Sequence, residues 1–407
     1  SIEYEKDGVK HVISPRNNEA WDYGVFHYEC PRCEQENVYT QDTKPYSPNK
    51  CGECGWEDGN WELTKKVYPT SYEGIEKSKQ PDLLKQVYGE LSEHHKMDDK
   101  QKLAAFIVAC SSALPQSSDH QSAALKGDSS SGKDNLIKSV LKHIPDERHW
   151  FVTRATQAAM EDEVHKYDIR AFSEINKHRE DGANNEITET FKQAAEGGIS
   201  SKKKDPSTGY QNTLENDSEQ KTLFYGTTET QKDKELETRY VVIPIKASRE
   251  KNHQVIKSIS NTVSDPIKQL EKQKNTNWVK DMIRSLDPNL EVTVPYANAT
   301  SHKEIEVDDS MKPMFDLNKE RIKRDYGRLM SLTKTITWLH QRQRQSYTVR
   351  DQDFLVSQPC DFYAALQIFG EFFQLTYSGL DHRLQNTIDR MEELQGEHSK
   401  EIEEKVS

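Results

Sequence analysis

Of 407 residues, 33% are hydrophobic and 30% charged, with a formal net charge of −12 and a mean hydropathy of −0.95. This length predicts about two to three domains, and the wet composition predicts long solvated helices and loops, or surfaces buried only in an assembly. The acidic balance excludes a wholly basic nucleic-acid coat protein but permits a basic strip inside a channel. No apolar run reaches the length of a membrane span, and the start, Ser1-Ile2-Glu3-Tyr4, has no signal-peptide pattern, so a cytoplasmic protein with no membrane partner is expected. The start at Ser1 leaves a longer parent chain open.

Residues 1–65 are aromatic and turn-rich and carry two CxxC pairs, Cys30/Cys33 and Cys51/Cys54, 17 residues apart. Each pair can turn two thiolates toward one centre, and Gly52 and Gly55 permit a tight knuckle. The spacing fits a zinc ribbon with Cys30, Cys33, Cys51 and Cys54 as a closed, structural Zn2+ site; redox dithiols are the alternative. Residues 66–120 read as a helical linker or collar, in which Pro81-Asp82 and Asp98-Asp99 open two apolar helices.

Between 121 and 262 strands and helices alternate, the pattern of an α/β layered domain. It opens on the short apolar strand Ser122–Lys126, continues into Gly127-Asp128-Ser129-Ser130-Ser131-Gly132-Lys133-Asp134, and resumes as a helix at Asn135–Leu141. Strand, glycine-rich loop and helix in that order form the context of a phosphate-binding loop. Its backbone N–H groups and helix dipole can cradle the phosphates of ATP, and Lys133 can neutralise the β and γ phosphates. Asp134 stands where a Ser or Thr ordinarily holds Mg2+.

Trp150–Thr153 reads as the next strand, followed by Ile169–Glu174. In the latter Ser173 occupies the position of a magnesium-binding acid, while Glu174 is the candidate catalytic carboxylate. The carboxylate absent at 173 is thus expected to reappear across the metal at 134. Thr222–Thr228 is a buried strand ending in hydroxyls, so Thr227 and Thr228 are candidates to bond a γ-phosphate or the attacking water. Arg239, just before the apolar strand Val241–Ile245, is placed to act on a neighbouring subunit's nucleotide. Residues 263–314 read as a polar, lysine-rich connector and 315–407 as a largely helical module. Within that module Leu329, Leu332, Ile336 and Leu339 form an apolar helical face, and Arg342, Arg344 and Arg350 read as a solvated helix end.

These strings, in this order, resemble the AAA+ ATPase core of minichromosome-maintenance-like helicases, and in particular the helicase part of primase–helicase replication proteins of viruses, plasmids and mobile elements. The resemblance spans about 80–380. It implies an α/β AAA+ P-loop ATPase core with a helical lid, behind a small zinc ribbon and helical linker. Arg324, followed by Tyr326, Leu329 and Leu332, then takes the lid-arginine role (sensor 2), and Asp361-Phe362-Tyr363-Ala364-Ala365 resembles the family's Asp-x-x-x-Ala. The resemblance further implies a β-hairpin ahead of the hydroxyl strand, with Lys202, Lys203 and Lys204 gripping the backbone of single-stranded DNA; a solvated lysine run is the plain alternative.

The expectation is therefore an ATP- and Mg2+-dependent ring-forming DNA helicase in a prokaryotic cytoplasm. Its expected partners are further copies of itself in a hexamer, single-stranded or forked DNA, and a primase or polymerase. A DNA-bound AAA+ switch or loader with slow hydrolysis is the alternative. A nucleotide kinase lacks support, because paired substrate arginines are absent.

Overall fold

A computed structural model describes residues 2–6, 9–13, 23–29, 32–33, 36–42, 54, 62–67, 72–152, 167–173, 202–204, 211–213, 221–228, 239–267, 278–298, 304–307, 310–313, 322–350 and 352–375. The chain divides into two compact units: Ser1–Gln80 with Pro145–Glu147 and Asn275–Asp287, and Pro81–Ile144 with Arg148–Lys274 and Pro288–Ser407.

In the first unit Tyr23–Glu29 is the centre of an antiparallel sheet, flanked by Glu36–Asp42 and Glu62–Val67. The helix Tyr72–Ser78 meets the helix Trp278–Ser285 at Gly74, where a Cβ would lie 2.7 Å from Met282 N and 2.8 Å from Trp278 O. Only glycine permits that backbone approach. Where polarity predicted a connector, the sequence around 278 therefore forms an amphipathic helix that buries Trp278, Val279, Met282 and Ile283 on one face. Its polar face is fixed by charge: Arg284 clasps Glu147 through Nε and Nη2 at 2.9 and 2.8 Å, and Lys280 Nζ reaches both oxygens of Asp146 at 2.7 Å.

The second unit runs through α1 (Leu83–His94), α2 (Asp99–Ser111), β1 (Ala123–Lys126), α3 (Lys133–Leu141), β2 (His149–Val152) and β3 (Ile169–Phe172). It continues through β4 (Thr222–Thr227), β5 (Val241–Pro244), α4 (Arg249–Val263), α5 (Ile322–Leu339) and α6 (Pro359–Leu375). The strands form one parallel sheet in the order β5-β1-β4-β3-β2. All of β3 and β4 is buried, so neither shows the alternation of a strand with one wet face, and β3 buries even the charged Arg170. Ala104 to Ala109 of α2 are each 0% exposed, because α1, α3, α5, α6 and β5 pack around this helix. A helix covered on every side has no polar face to display.

Beyond the sheet, α5 buries Leu329, Leu332, Ile336 and Leu339, as its periodicity predicts. It is pinned to the segment before β1 by Asp119, which accepts from Ser331 Oγ at 2.8 Å and Lys334 Nζ at 2.7 Å. Helix does not run through this whole module: between α5 and α6 the strands Ser346–Val349 and Gln352–Val356 form a hairpin, and Gln352–Val356 also pairs with Glu291–Thr293.

Arg344 is not at a solvated helix end. Its guanidinium donates to Asp361 at 2.9 Å from Nε and 2.5 Å from Nη2, and the two side chains are 9% and 1% exposed. Thr337 Oγ1 and the Gln358 N–H complete the Asp361 shell at 3.0 and 2.9 Å. Removing one member of a buried pair strands the other charge, at a cost of about 3–5 kcal/mol. Arg344→Ala should lose stability of that order in urea denaturation; a loss near zero would return Arg344 to the surface.

Candidate functional site

Because the sheet is parallel, every strand delivers its carboxyl end to one edge, and β4 lies between β1 and β3 although it follows both in sequence. Three loops therefore meet there. The loop after β1 begins at Gly127, where a Cβ would sit 2.1 Å from Ile245 O. It ends at Gly132, whose φ of 97° is in the left-handed region and which occupies the N-cap position of α3. Asp128, Ser129 and Ser130 are exposed, while Ser131 and Lys133 are buried. Lys133 Nζ curls onto the loop, donating to Gly127 O at 2.7 Å and Asp128 O at 2.8 Å. The buried Ser131 hydroxyl has no hydrogen-bond partner among the described residues. A loop closed around an ammonium at the start of a helix is chemically an anion cradle.

At the end of β3, Ser173 Oγ donates a hydrogen bond to Asp134 Oδ2. The two positions that the sequence paired as an exchange are thus in direct contact. Gly226 in β4 makes room for this: a Cβ there would lie 2.4 Å from Ser173 O and 3.5 Å from Lys133 Cε. Thr227 is buried, its carbonyl accepting from the Gly127 N–H at 3.1 Å and its Oγ1 donating to Thr228 O at 3.3 Å. The donor pair of Asp134 and Ser173 is hard oxygen, which fits Mg2+ rather than a softer metal. Glu174, the next residue after Ser173, lies outside the described residues.

The candidate arginines are elsewhere. Arg239 precedes β5, whose first residue Val241 donates to Ser122 O at 2.8 Å. With Ser122, Lys323, Arg324 and Arg328, Arg239 lines an open cleft at the amino edge of the sheet. Four residues of β1 separate that cleft from Gly127, about 13 Å at the rise of a strand. No arginine side chain spans this distance, so Arg239 and Arg324 are brought to each other but not to Lys133 of the same chain.

A second cluster behind the phosphate loop escaped sequence reading. Asp98 stands at the N-cap of α2, but in the left-handed region with φ 56° and without a side-chain capping bond. Its carboxylate turns instead to Lys251, the third residue of α4, at 2.5 Å and accepts from His95 Nε2 at 2.7 Å. Lys251 Nζ also donates to Ser131 O at 2.8 Å, and His95 Nδ1 lies 2.6 Å from Asn135 Oδ1 in α3. Partners 153 residues apart leave no local signal, and an Asp before a helix ordinarily reads as a cap.

Lys202–Lys204 pairs antiparallel with Gln211–Thr213 as a hairpin between β3 and β4, with Lys204 opposite Gln211. The three lysine side chains lie outside the described residues. Cys33 and Cys54 both sit in turns, Cys33 in the connection between Glu29 and Glu36 and Cys54 in the segment that returns to Glu62, opposite Glu29. Cys30 and Cys51 lie outside the described residues.

No family model and no curated protein sequence matches the chain. Fold and site together define an α/β domain with a five-stranded parallel sheet, compatible with a P-loop domain. Among the described residues no helix is long and apolar enough to cross a membrane.

The Asp98 carboxyl is held below its ordinary value: burial pushes it up, but the hydrogen bonds and charges of His95 and Lys251 outweigh burial. A carboxyl lowered in the folded state contributes stability above its unfolded value of about 3.9 and loses it as pH falls through the folded value. Asp98→Asn should therefore be less stable than the parent at pH 7, with the gap closing below about pH 4. Urea midpoints for both chains at pH 7 and pH 3 check this, and a gap unchanged by pH would contradict it.

Proposed function

We propose that the chain is the motor of a ring-forming, ATP-driven DNA helicase, an AAA+ ATPase of the minichromosome-maintenance-like type acting in replication of a virus, plasmid or mobile element. The observation that carries this reading is the division of charge between the two sheet edges. The cradle of Lys133 and the cleft of Arg239 and Arg324 are too far apart to serve one nucleotide within one chain, while head-to-tail copies in a ring bring one chain's cleft to the next chain's loop. The apolar stripe of α4 supports assembly: Ile256, Ile259 and Val263 are 62%, 56% and 70% exposed, on a helix whose first turn reaches the phosphate loop. A second copy is the occupant that this composite site requires.

In this reading the ATP triphosphate offers Lys133 charged acceptors in place of two neutral carbonyls, and the loop N–H groups and the Ser131 hydroxyl surround it. Mg2+, held through Asp134 and Ser173, would neutralise phosphate charge, and Thr227 would bond the γ-phosphate or the attacking water. Glu174 orients the attacking water, Thr228 flanks it, and the neighbour's Arg239 and Arg324 stabilise charge on the transferred phosphoryl group. The Lys202–Lys204 hairpin grips single-stranded DNA in the channel. Cys30, Cys33, Cys51 and Cys54 hold Zn2+, four soft thiolates in two CxxC pairs whose spacing suits tetrahedral zinc. A primase or polymerase is the expected working partner.

A second reading, a DNA-bound switch or loader with slow hydrolysis, draws on the Asp134–Ser173 hydrogen bond, which engages the carboxylate with a neutral donor. Strand displacement on a forked duplex separates the two, with Lys133→Ala as the inactive control; hexamers that never unwind DNA would favour the switch.

The composite site has its own test. Lys133→Ala should abolish ATP binding, and Arg239→Ala should retain binding but lose about 10³-fold or more in turnover. Mixing the two inactive chains should restore part of the ATPase, because each supplies what the other lacks; no recovery in mixed rings would refute action between subunits. Asp134→Ala should abolish magnesium-dependent hydrolysis, and undiminished turnover would remove Asp134 from the metal site.

A further inference from the structure

We propose that Lys251 is a positioning residue of the phosphate loop, acting through the Ser131 carbonyl; the proposal rests on the nucleotide reading above and deepens it. Lys251 is 6% exposed, and a buried ammonium persists only where compensating partners surround it. Asp98 supplies the charge, at 2.5 Å. A second N–H goes to Ser131 O, at 2.8 Å. In a trans peptide the carbonyl and the following N–H point in opposite directions. Lys251 draws the Ser131 carbonyl toward itself on the α4 side, so the N–H of Gly132 is turned the other way, into the loop that Lys133 closes.

The surroundings hold this arrangement at three points. Asp98 is itself fixed by His95, and His95 reaches Asn135 in the first turn of α3. Gly132 admits the left-handed φ of 97° that the turned peptide needs, and a Cβ on it would approach Lys251 Nζ to 3.5 Å. The loop is thereby gripped from outside by residues on or adjoining four helices, α1, α2, α3 and α4. Lys251, Asp98 and His95 act through the Ser131 carbonyl and Asn135, so the expected effect is on how well the loop presents its N–H groups. Outer-shell partners of this kind typically alter affinity or activity by about 10–100-fold.

The test is equilibrium binding of a fluorescent ATP analogue with Mg2+ to the full chain, at a temperature below the melting of every variant. Lys251→Met should weaken binding by about tenfold or more, and Lys251→Arg, which keeps a cation able to reach Ser131 O, should restore most of it. Because Lys251→Met alone strands the Asp98 charge, the double variant Asp98→Asn with Lys251→Met is measured as well. It removes both charges, and it should still bind weakly because nothing holds the Ser131 carbonyl. Parental affinity in the double variant would overturn the proposal. Failure of the unmodified chain to bind the analogue, with Lys133→Ala indistinguishable from it, would instead overturn the nucleotide reading and this proposal with it.

Discussion

The strand β1 is four residues long, and that length sets the distance between the glycine loop at one sheet edge and the arginine cleft at the other. A parallel sheet sorts its chemistry by strand end, and here Lys133 and its glycine loop lie at the carboxyl edge while Arg239 and Arg324 lie at the amino edge. Electrostatic stabilisation of a reacting phosphate requires donors within hydrogen-bond reach of the charge that develops. For the proposed ATPase site, a gap of about 13 Å leaves the arginines out of reach of the same chain's loop. On the proposed reading, the separation makes the domain a component whose site is finished by another copy.

The carboxyl edge is assembled by close backbone approaches. Gly127 lies against Ile245, Gly226 lies against Ser173, and in each case a single Cβ would collide with a carbonyl oxygen. Those contacts bring Lys133, Asp134, Ser173 and Thr227 to one place, although they come from three strands. The buried ion pair of Asp98 and Lys251 belongs to the same construction. Burying two charges costs several kcal/mol in desolvation before their attraction returns any of it, so such a pair is a poor general means of stabilisation. Set against the Ser131 carbonyl, it holds one peptide plane in one orientation.

Much of the second unit was legible in the sequence, because its strands are short apolar runs and its loop carries glycines where the backbone demands them. All five strands of the sheet fall within a residue or two of where pattern placed them, and the lysine run lies on a hairpin. What local pattern missed was non-local. Asp98 reads as a helix cap, yet its backbone adopts a left-handed conformation and its carboxylate serves a lysine 153 residues later. Arg344 reads as solvated because nothing in its neighbourhood announces Asp361 as its partner. The 278–285 helix hid within a polar stretch, since its apolar face is only two turns long and needs Gly74 from far upstream to receive it. Arg239 was read from its place ahead of an apolar strand as acting on a neighbouring subunit, and the fold puts it at the end of the sheet opposite Lys133.

The central claim is that the site is completed between copies, and a structure of the assembled protein with a slowly hydrolysed ATP analogue, Mg2+ and single-stranded DNA tests it most directly. The account predicts a closed six-fold ring, with each nucleotide bound by Lys133 of one chain and approached by Arg239 and Arg324 of the next, and DNA in the central channel beside Lys202–Lys204. A monomer that encloses the nucleotide by itself, or a ring whose interfaces leave Arg239 facing solvent, would contradict it.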